Sequence, residues 1–131
     1  MIASLNGILT LIGKSEIVLE VNGIGYVLNV SSKLVASLEE IGSELTLFTD
    51  LQNKDDKIVM YGFASSNDQN MFKLLQTVQG VGPKAALSIL STLNVDEIIL
   101  AITSGDKAMI SRADGIGARV AGRITTELVE K

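Results

Sequence analysis

A short glycine-containing pattern that occurs twice constrains the fold of this chain more than any other feature. The copies, Gly80-Val81-Gly82 and Gly115-Ile116-Gly117, lie 35 residues apart. At the same offset, Lys84 corresponds to Arg119. Each copy follows a stretch that can form a helix and precedes another, so the sequence predicts two units of helix, tight turn and helix.

Such a turn favours phosphate as its ligand. Glycine lets the backbone turn tightly and lets a partner approach closely, while the first amides of the following helix are unpaired and carry the positive end of its dipole. A single copy is more simply a helix C-cap and a tight turn. Two copies with the same spacing, an apolar central residue and a basic residue downstream favour phosphate binding by both. The candidate residues are Gly80, Val81, Gly82, Lys84, Gly115, Ile116, Gly117, Arg119 and Arg123.

Residue types that the sequence lacks exclude several kinds of site. There is no cysteine and no histidine, which rules out disulfides, zinc sites built on those ligands and nucleophilic catalysis of the Cys-His or Ser-His kind. Neither glycine pattern is a dinucleotide fingerprint, because position 120 is valine, and no Walker loop occurs. We therefore predict a non-catalytic chain without metal or cofactor, which does not itself bind or hydrolyse ATP.

Residues 1–63 follow a β pattern. Apolar runs predict five strands, at 2–12, 17–21, 24–30, 45–51 and 58–63, and residues 33–38 can form a short helix. Asn22-Gly23 between two runs indicates a type I′ hairpin, and residues 53–56 are expected to interrupt the strands. Five antiparallel strands with one interrupting helix predict a small OB-type β-barrel.

Residues 64–131 have helical spacing instead. Ser65 and Ser66 can cap a first helix over 68–78, and Pro83 suits the first turn of a second, because its missing N–H would have no partner there. Further helices are predicted from 94 or 96 to 102, over 107–113 after a cap at Asp106, and over 118–129. The predicted fold class is α+β with two domains, a barrel over 1–63 and an all-helical domain over 64–131. The apolar face of the first helix is Met71, Leu74, Leu75 and Val78.

Charge is unevenly distributed along the chain. The formal net charge of −4 comes from residues 1–63, where four lysines are outnumbered by eight carboxylates. Residues 64–131 hold seven basic and seven acidic groups. The helical half can therefore gather a basic patch around Lys84, Arg119 and Arg123 despite the acidic total.

The sequence gives no sign of a membrane segment. No run reaches the roughly 18 apolar residues of a membrane helix, and the N-terminus lacks a basic segment that leads into an apolar one. We predict a cytoplasmic protein that has no contact with a membrane.

Asp55-Asp56 lies at the tip of the hairpin between the fourth and fifth predicted strands. Aspartate is common in solvated turns, and this is the simplest interpretation of the pair. A metal site is less favoured, because adjacent carboxylates in a turn diverge and no third ligand is evident.

Segments along the whole chain match one known family: Met1-Ile2, Asn22-Gly23-Ile24-Gly25-Tyr26, Phe48-Thr49, Tyr61-Gly62-Phe63, Leu74-Leu75, Gly80-Val81-Gly82-Pro83-Lys84 and Gly115-Ile116-Gly117. Together they resemble the RuvA family, the bacterial subunits that bind Holliday junctions. The resemblance implies an OB-fold domain followed by two helix-hairpin-helix motifs. It also implies a homotetramer, or an octamer of paired tetramers, that holds the four arms of a four-way junction open. The implied partners are RuvB, the hexameric ATPase that drives branch migration in recombination and repair, and the resolvase RuvC.

The resemblance also changes the interpretation of Asp55 and Asp56. It places them on an acidic pin near the centre of the DNA-binding face, where carboxylates repel phosphates and favour strand separation at the crossover. The hairpins would then hold the arms by their phosphates without reading bases. Because one chain neutralises few phosphate charges, useful affinity requires several chains acting together.

The chain departs from the family pattern in two places. Family members often carry a second basic residue directly after the second glycine pattern, where this chain has Ala118, so we expect a weaker grip there. The family also has a tethered C-terminal domain that engages RuvB, whereas this sequence stops at Lys131. We expect it to bind junctions without stimulating RuvB.

Three other functions compete with junction binding. The chief alternative is a helix-hairpin-helix module of a repair nuclease or ligase, against which the acidic barrel argues. A DNA glycosylase needs a catalytic aspartate well beyond its hairpin, and none follows Gly117. The third is a protein-interaction scaffold that does not bind DNA.

Overall fold

The computed structural model describes residues 2–130, which form two compact units that meet in sequence at Gln69 and Asn70. The first unit contains five strands and one helix, and four further helices lie in the second. Helix α2 begins in the first unit and ends in the second. In chain order the elements are β1 Ser4–Ile12, β2 Glu16–Val21, β3 Ile24–Asn29, α1 Ser32–Ser37, β4 Glu44–Lys54, β5 Lys57–Phe63, α2 Ser66–Leu75, α3 Pro83–Thr92, α4 Val95–Ser104, α5 Lys107–Ile110 and α6 Ala118–Leu128.

The five strands form a closed barrel in the order β1-β2-β3-β5-β4. All neighbours are antiparallel except β3 and β5, which pair in parallel at Asn29 and Tyr61. Strand β1 pairs with both β2 and β4, and its register shifts between Leu9 and Leu11, which is the kind of bulge that bends a strand around a barrel corner. The predicted OB-type barrel followed by a helical region is confirmed.

Alternating side chains fill the barrel. Because successive residues of a strand point to opposite faces, β1, β2 and β4 bury every second residue over part of their length. The last four residues of β5 are all buried. Glycine is required at position 7, since a Cβ there would lie 2.6 Å from the carbonyl oxygen of Glu20. The core residues include Leu5, Leu9, Ile17, Leu19, Leu28, Val30 and Leu47.

The hairpin between β4 and β5 is longer than predicted. The expected interruption at residues 53–56 is wrong for residues 53 and 54, which belong to β4. The ladder continues to the pair Lys54 and Lys57. Only Asp55 and Asp56 form the turn, and both have positive φ, 52° and 61°. These values fit a type I′ turn, whose twist matches that of the flanking strands and lets pairing continue to its edge.

Two helices are shorter than predicted. Helix α2 ends at Leu75 and α5 at Ile110, where the sequence predicted 78 and 113. In both places the α-helix gives way to a tighter turn with hydrogen bonds to the carbonyl three residues earlier. The amides of Val78 and Ala113 make such bonds at 3.2 Å. Val78 remains buried, so the helical spacing correctly placed it on the apolar face although the helix ends before it. Ala113 is also buried.

The predicted helix starts agree with the structure at several caps. The Ser65 hydroxyl accepts from the amide of Asp68 at 3.2 Å, and Pro83 is the first residue of α3. Asn94 caps α4 in a capping box with Glu97, so the alternative start at 96 is wrong. Asp106 caps α5 as predicted.

No single helix within residues 2–130 has both the length and the apolar composition to cross a bilayer. Helices α3 and α4 meet that standard only when taken together, and they are bent by 100° at the break between them.

Candidate nucleic-acid interface

The two glycine turns have the same backbone geometry. Gly80 and Gly115 both adopt the left-handed conformation, with φ of +94° and +79°. In each turn the central amide donates to the carbonyl three residues earlier, at 3.0 Å from Val81 and 3.2 Å from Ile116. Both central side chains are buried, which anchors each turn to the helices around it. The sequence repeat is therefore also a structural repeat.

The second glycine of each turn has no intramolecular reason to be glycine. Gly82 (φ −92°, ψ −176°) and Gly117 (φ −80°, ψ 172°) have extended backbones that any residue adopts. A Cβ built at either position meets no atom within 4 Å, and both residues are exposed. What glycine provides at these positions is close access to the backbone from outside the molecule.

The helices that follow these glycines begin without a side-chain cap. At the N-cap positions Gly82 and Gly117, no side chain accepts a hydrogen bond from the helix amides. By contrast, α1, α4 and α5 have side-chain caps, from Ser31, Asn94 and Asp106. The first amides of α3 and α6 have no acceptor within their own helix, and the positive ends of the two helix dipoles add to their attraction for an anion. In α3 Pro83 removes one of these donors.

Two reciprocal hydrogen bonds hold the repeated units together. The Ser88 hydroxyl donates to the carbonyl of Asp114 at 2.7 Å, and the guanidinium of Arg123 donates to the side-chain oxygen of Gln79 at 3.1 Å. Ser88 corresponds to Arg123 and Gln79 to Asp114 at the 35-residue offset of the repeat. Each helix thus contacts the residue just before the other turn, as expected of two units related by a local twofold axis. Sequence reasoning missed these contacts, because the 35-residue offset matches equivalent positions but does not show which residues touch.

The predicted cations are not equivalent. Lys84 and Arg119 are exposed and have no ion-pair partner among residues 2–130. Arg123, in contrast, forms an ion pair with Glu127 at 3.0 Å in addition to its bond to Gln79. An exposed pair of this kind stabilises the fold by less than about 1 kcal/mol, so a phosphate can compete with the carboxylate for Arg123.

The acidic pair lies at an exposed hairpin tip in the other unit. Asp55 and Asp56 occupy the two-residue turn, and the flanking residues Lys54 and Lys57 are cross-strand partners. No group of three or more potential metal ligands occurs in the part of the chain that the structure describes. The ladder continues to the edge of the turn, so the two aspartates lie at the tip of a fully paired hairpin.

The fold and this site define a protein with an OB-type barrel followed by a tandem helix-hairpin-helix domain. The family model of the RuvA N terminal domain matches residues 1–62, and that of the SAM-like helix-hairpin-helix tandem matches residues 72–130. The chain belongs to the RuvA family.

Curated relatives are similar over the whole chain. Relatives from Zymomonas mobilis, Methylocella silvestris and Xanthobacter autotrophicus are 47%, 44% and 40% identical over 131 residues. Each is named Holliday junction branch migration complex subunit RuvA. The alignments cover 100% of this chain and 62%, 63% and 64% of those relatives, so the chain spans less than two thirds of their length.

Proposed function

We propose that this chain binds four-way junction DNA by its sugar-phosphate backbones, independently of sequence, and holds the junction open for branch migration. The observation that carries the proposal is the pair Gly82 and Gly117. Both are exposed at the uncapped starts of helices, and neither conformation nor packing within the fold requires glycine at either position. The names of the relatives support the four-way junction as the ligand.

Each hairpin acts as a phosphate clamp. The free amides at the start of α3 and α6 donate to phosphate oxygens, and Lys84, Arg119 and Arg123 add charge near them. Such contacts position a protein on a duplex but carry no information on base sequence. The hydrogen bonds of Ser88 with Asp114 and of Arg123 with Gln79 join the two helix-turn-helix repeats and fix the spacing of the two clamps.

The acidic pin acts by repulsion. Carboxylates of Asp55 and Asp56 placed near the crossover disfavour a continuous duplex there and favour separated strands. The type I′ turn suits this role because it sets both aspartates at the tip of a fully paired hairpin.

The active form is a homotetramer, or an octamer of two paired tetramers. One chain neutralises few phosphates, so several chains acting together are needed for tight binding. The chain itself is non-catalytic, and the RuvB ATPase supplies the work of branch migration while RuvC resolves the junction. The complex acts in the cytoplasm on recombining and damaged DNA.

A binding experiment with two DNA shapes tests the proposal. Gel shifts compare a four-way junction with a linear duplex of the same arm sequences, for the wild type and for Gly82→Glu combined with Gly117→Glu. We expect the wild type to prefer the junction and the double variant to lose binding. A control, Ala36→Glu combined with Asn70→Glu, adds the same charge at exposed helix positions and should retain binding.

Two results would contradict the proposal. Equal affinity for the two DNAs would favour a general helix-hairpin-helix module over junction binding. If Gly82→Glu combined with Gly117→Glu binds as tightly as the wild type, the hairpins do not form the DNA-binding surface.

A further inference from the structure

Lys107 lies against α6, the helix that begins at the second hairpin. It is the first residue of α5 and is exposed. Its Cδ is 3.8 Å from the point that a Cβ of Gly122 would occupy. Since Gly122 has no side chain, the methylene stem of Lys107 can lie across α6 there while its ammonium group stays in water.

An open cleft connects Lys107 to the start of α6. Its volume is about 390 Å³. The cleft has three cations and one carboxylate, and Arg123 already pairs with that carboxylate at 3.0 Å. Lys107 and Arg119 have no ion-pair partner within residues 2–130, so the cleft keeps an unneutralised positive charge. Residues that line it include Lys107, Ala118, Arg119, Gly122, Arg123 and Glu127.

This cation is specific to the second hairpin. At the offset of the repeat, Lys107 corresponds to Phe72, which is fully buried. The equivalent position is therefore a core residue, Phe72, in the first helix-turn-helix repeat and a charged surface residue, Lys107, in the second. The second hairpin also begins its helix with the neutral Ala118, which lines the same cleft.

From this arrangement we infer that Lys107 is a further phosphate-binding residue of the second hairpin, a role that rests on the proposed DNA binding. Its ammonium group and the guanidinium of Arg119 contact the backbone that the free amides of α6 bind. Lys107 thereby supplies, from a neighbouring helix, the charge that Ala118 does not provide.

The test is a set of gel shifts on junction DNA at several salt concentrations. We expect Lys107→Gln to weaken binding roughly 3- to 10-fold and to lower the slope of log affinity against log salt by about 0.9 for each phosphate that is no longer bound. Lys33→Gln removes an exposed lysine from α1, in the other unit, and should change neither quantity. Adding Ala118→Lys to Lys107→Gln should restore both, because residue 118 lines the same cleft.

The outcomes separate this inference from the proposed function. If Lys107→Gln binds with wild-type affinity and salt slope while Gly82→Glu with Gly117→Glu still abolishes binding, Lys107 is only a solvated surface residue. If Ala118→Lys raises affinity equally with and without Lys107, the two positions do not serve the same phosphate and the inference fails. If the glycine variant itself binds normally, the proposed function fails first. Circular dichroism and thermal unfolding of each variant check that the fold is retained.

Discussion

At the scale of single residues, the four hairpin glycines fall into two physically different pairs. Gly80 and Gly115 have positive φ, whereas Gly82 and Gly117 are extended and face open space. Serine is also a better helix N-cap than glycine, by a few tenths of a kcal/mol. Glycine at the two N-caps therefore gives up a little stability, which is expected of a position under selection for binding.

Serine substitutions should separate the two pairs. Gly82→Ser with Gly117→Ser should leave the free energy of unfolding unchanged or raise it by up to about 1 kcal/mol, yet weaken DNA binding. The new hydroxyls would occupy amides that the phosphate needs. Gly80→Ser with Gly115→Ser should lower the free energy of unfolding by about 1–2 kcal/mol for each residue. Urea unfolding and gel shifts measure both effects, and equal destabilisation by the two double variants would contradict this division.

Tyr61 gives a second prediction at the residue scale. Burial, and to a smaller extent the negative charge of its cross-strand partner Asp50, raise the pKa of Tyr61 above its ordinary value of 10.0. The folded state therefore holds this proton to higher pH than the unfolded chain does. The stabilisation that the Tyr61 proton adds to the free energy of unfolding is fully present below about pH 10. It is lost as the pH rises through the folded-state pKa of Tyr61.

Urea unfolding across that range checks the sign. Above about pH 10 the wild type should lose stability more steeply than Tyr61→Phe. Phenolate absorbance of Tyr26→Phe, in which Tyr61 is the remaining tyrosine, reports its ionisation directly. Parallel losses in wild type and Tyr61→Phe would exclude Tyr61 as the cause.

At the scale of elements, the pin can be tested apart from its hairpin. Asparagine tolerates positive φ as aspartate does, so Asp55→Asn with Asp56→Asn should keep the turn and change the free energy of unfolding by less than about 0.5 kcal/mol. Without the two charges the repulsion of a continuous duplex is gone, and the preference for junction over duplex should shrink. Competition gel shifts measure the ratio of the two affinities. Glu39→Gln with Glu40→Gln removes the same charge from another exposed segment, and an equal effect from this control would show that only total charge matters.

At the scale of the whole molecule, the prediction concerns assembly. A single chain offers two clamps, and the salt dependence of binding reports how many phosphates are bound in total. We expect light scattering to find four chains on one junction. We also expect a salt slope steeper than two clamps can give, at about 0.9 for each bound phosphate. A one-to-one complex with a shallow slope would contradict the tetramer, and the Gly82→Glu with Gly117→Glu variant should keep the wild-type mass in the absence of DNA.

The sequence by itself determined the features that depend on local backbone preferences. Asn22-Gly23 marked a type I′ turn, Pro83 and Asp106 marked helix starts, and alternation and helical spacing separated the barrel from the helical half. Each of these signals acts over a few neighbouring residues, where steric and capping preferences decide the conformation. The repeat itself identified both glycine turns.

Only the tertiary structure decided what those turns present to a ligand. The contacts of Ser88 with Asp114 and of Arg123 with Gln79 join residues 26 and 44 positions apart, and the approach of Lys107 to Gly122 likewise joins two helices. The open space around Gly82 and Gly117 depends in the same way on how the helices pack. Such features follow from the packing of many side chains at once, so no local pattern could show that these two glycines are free of any structural requirement.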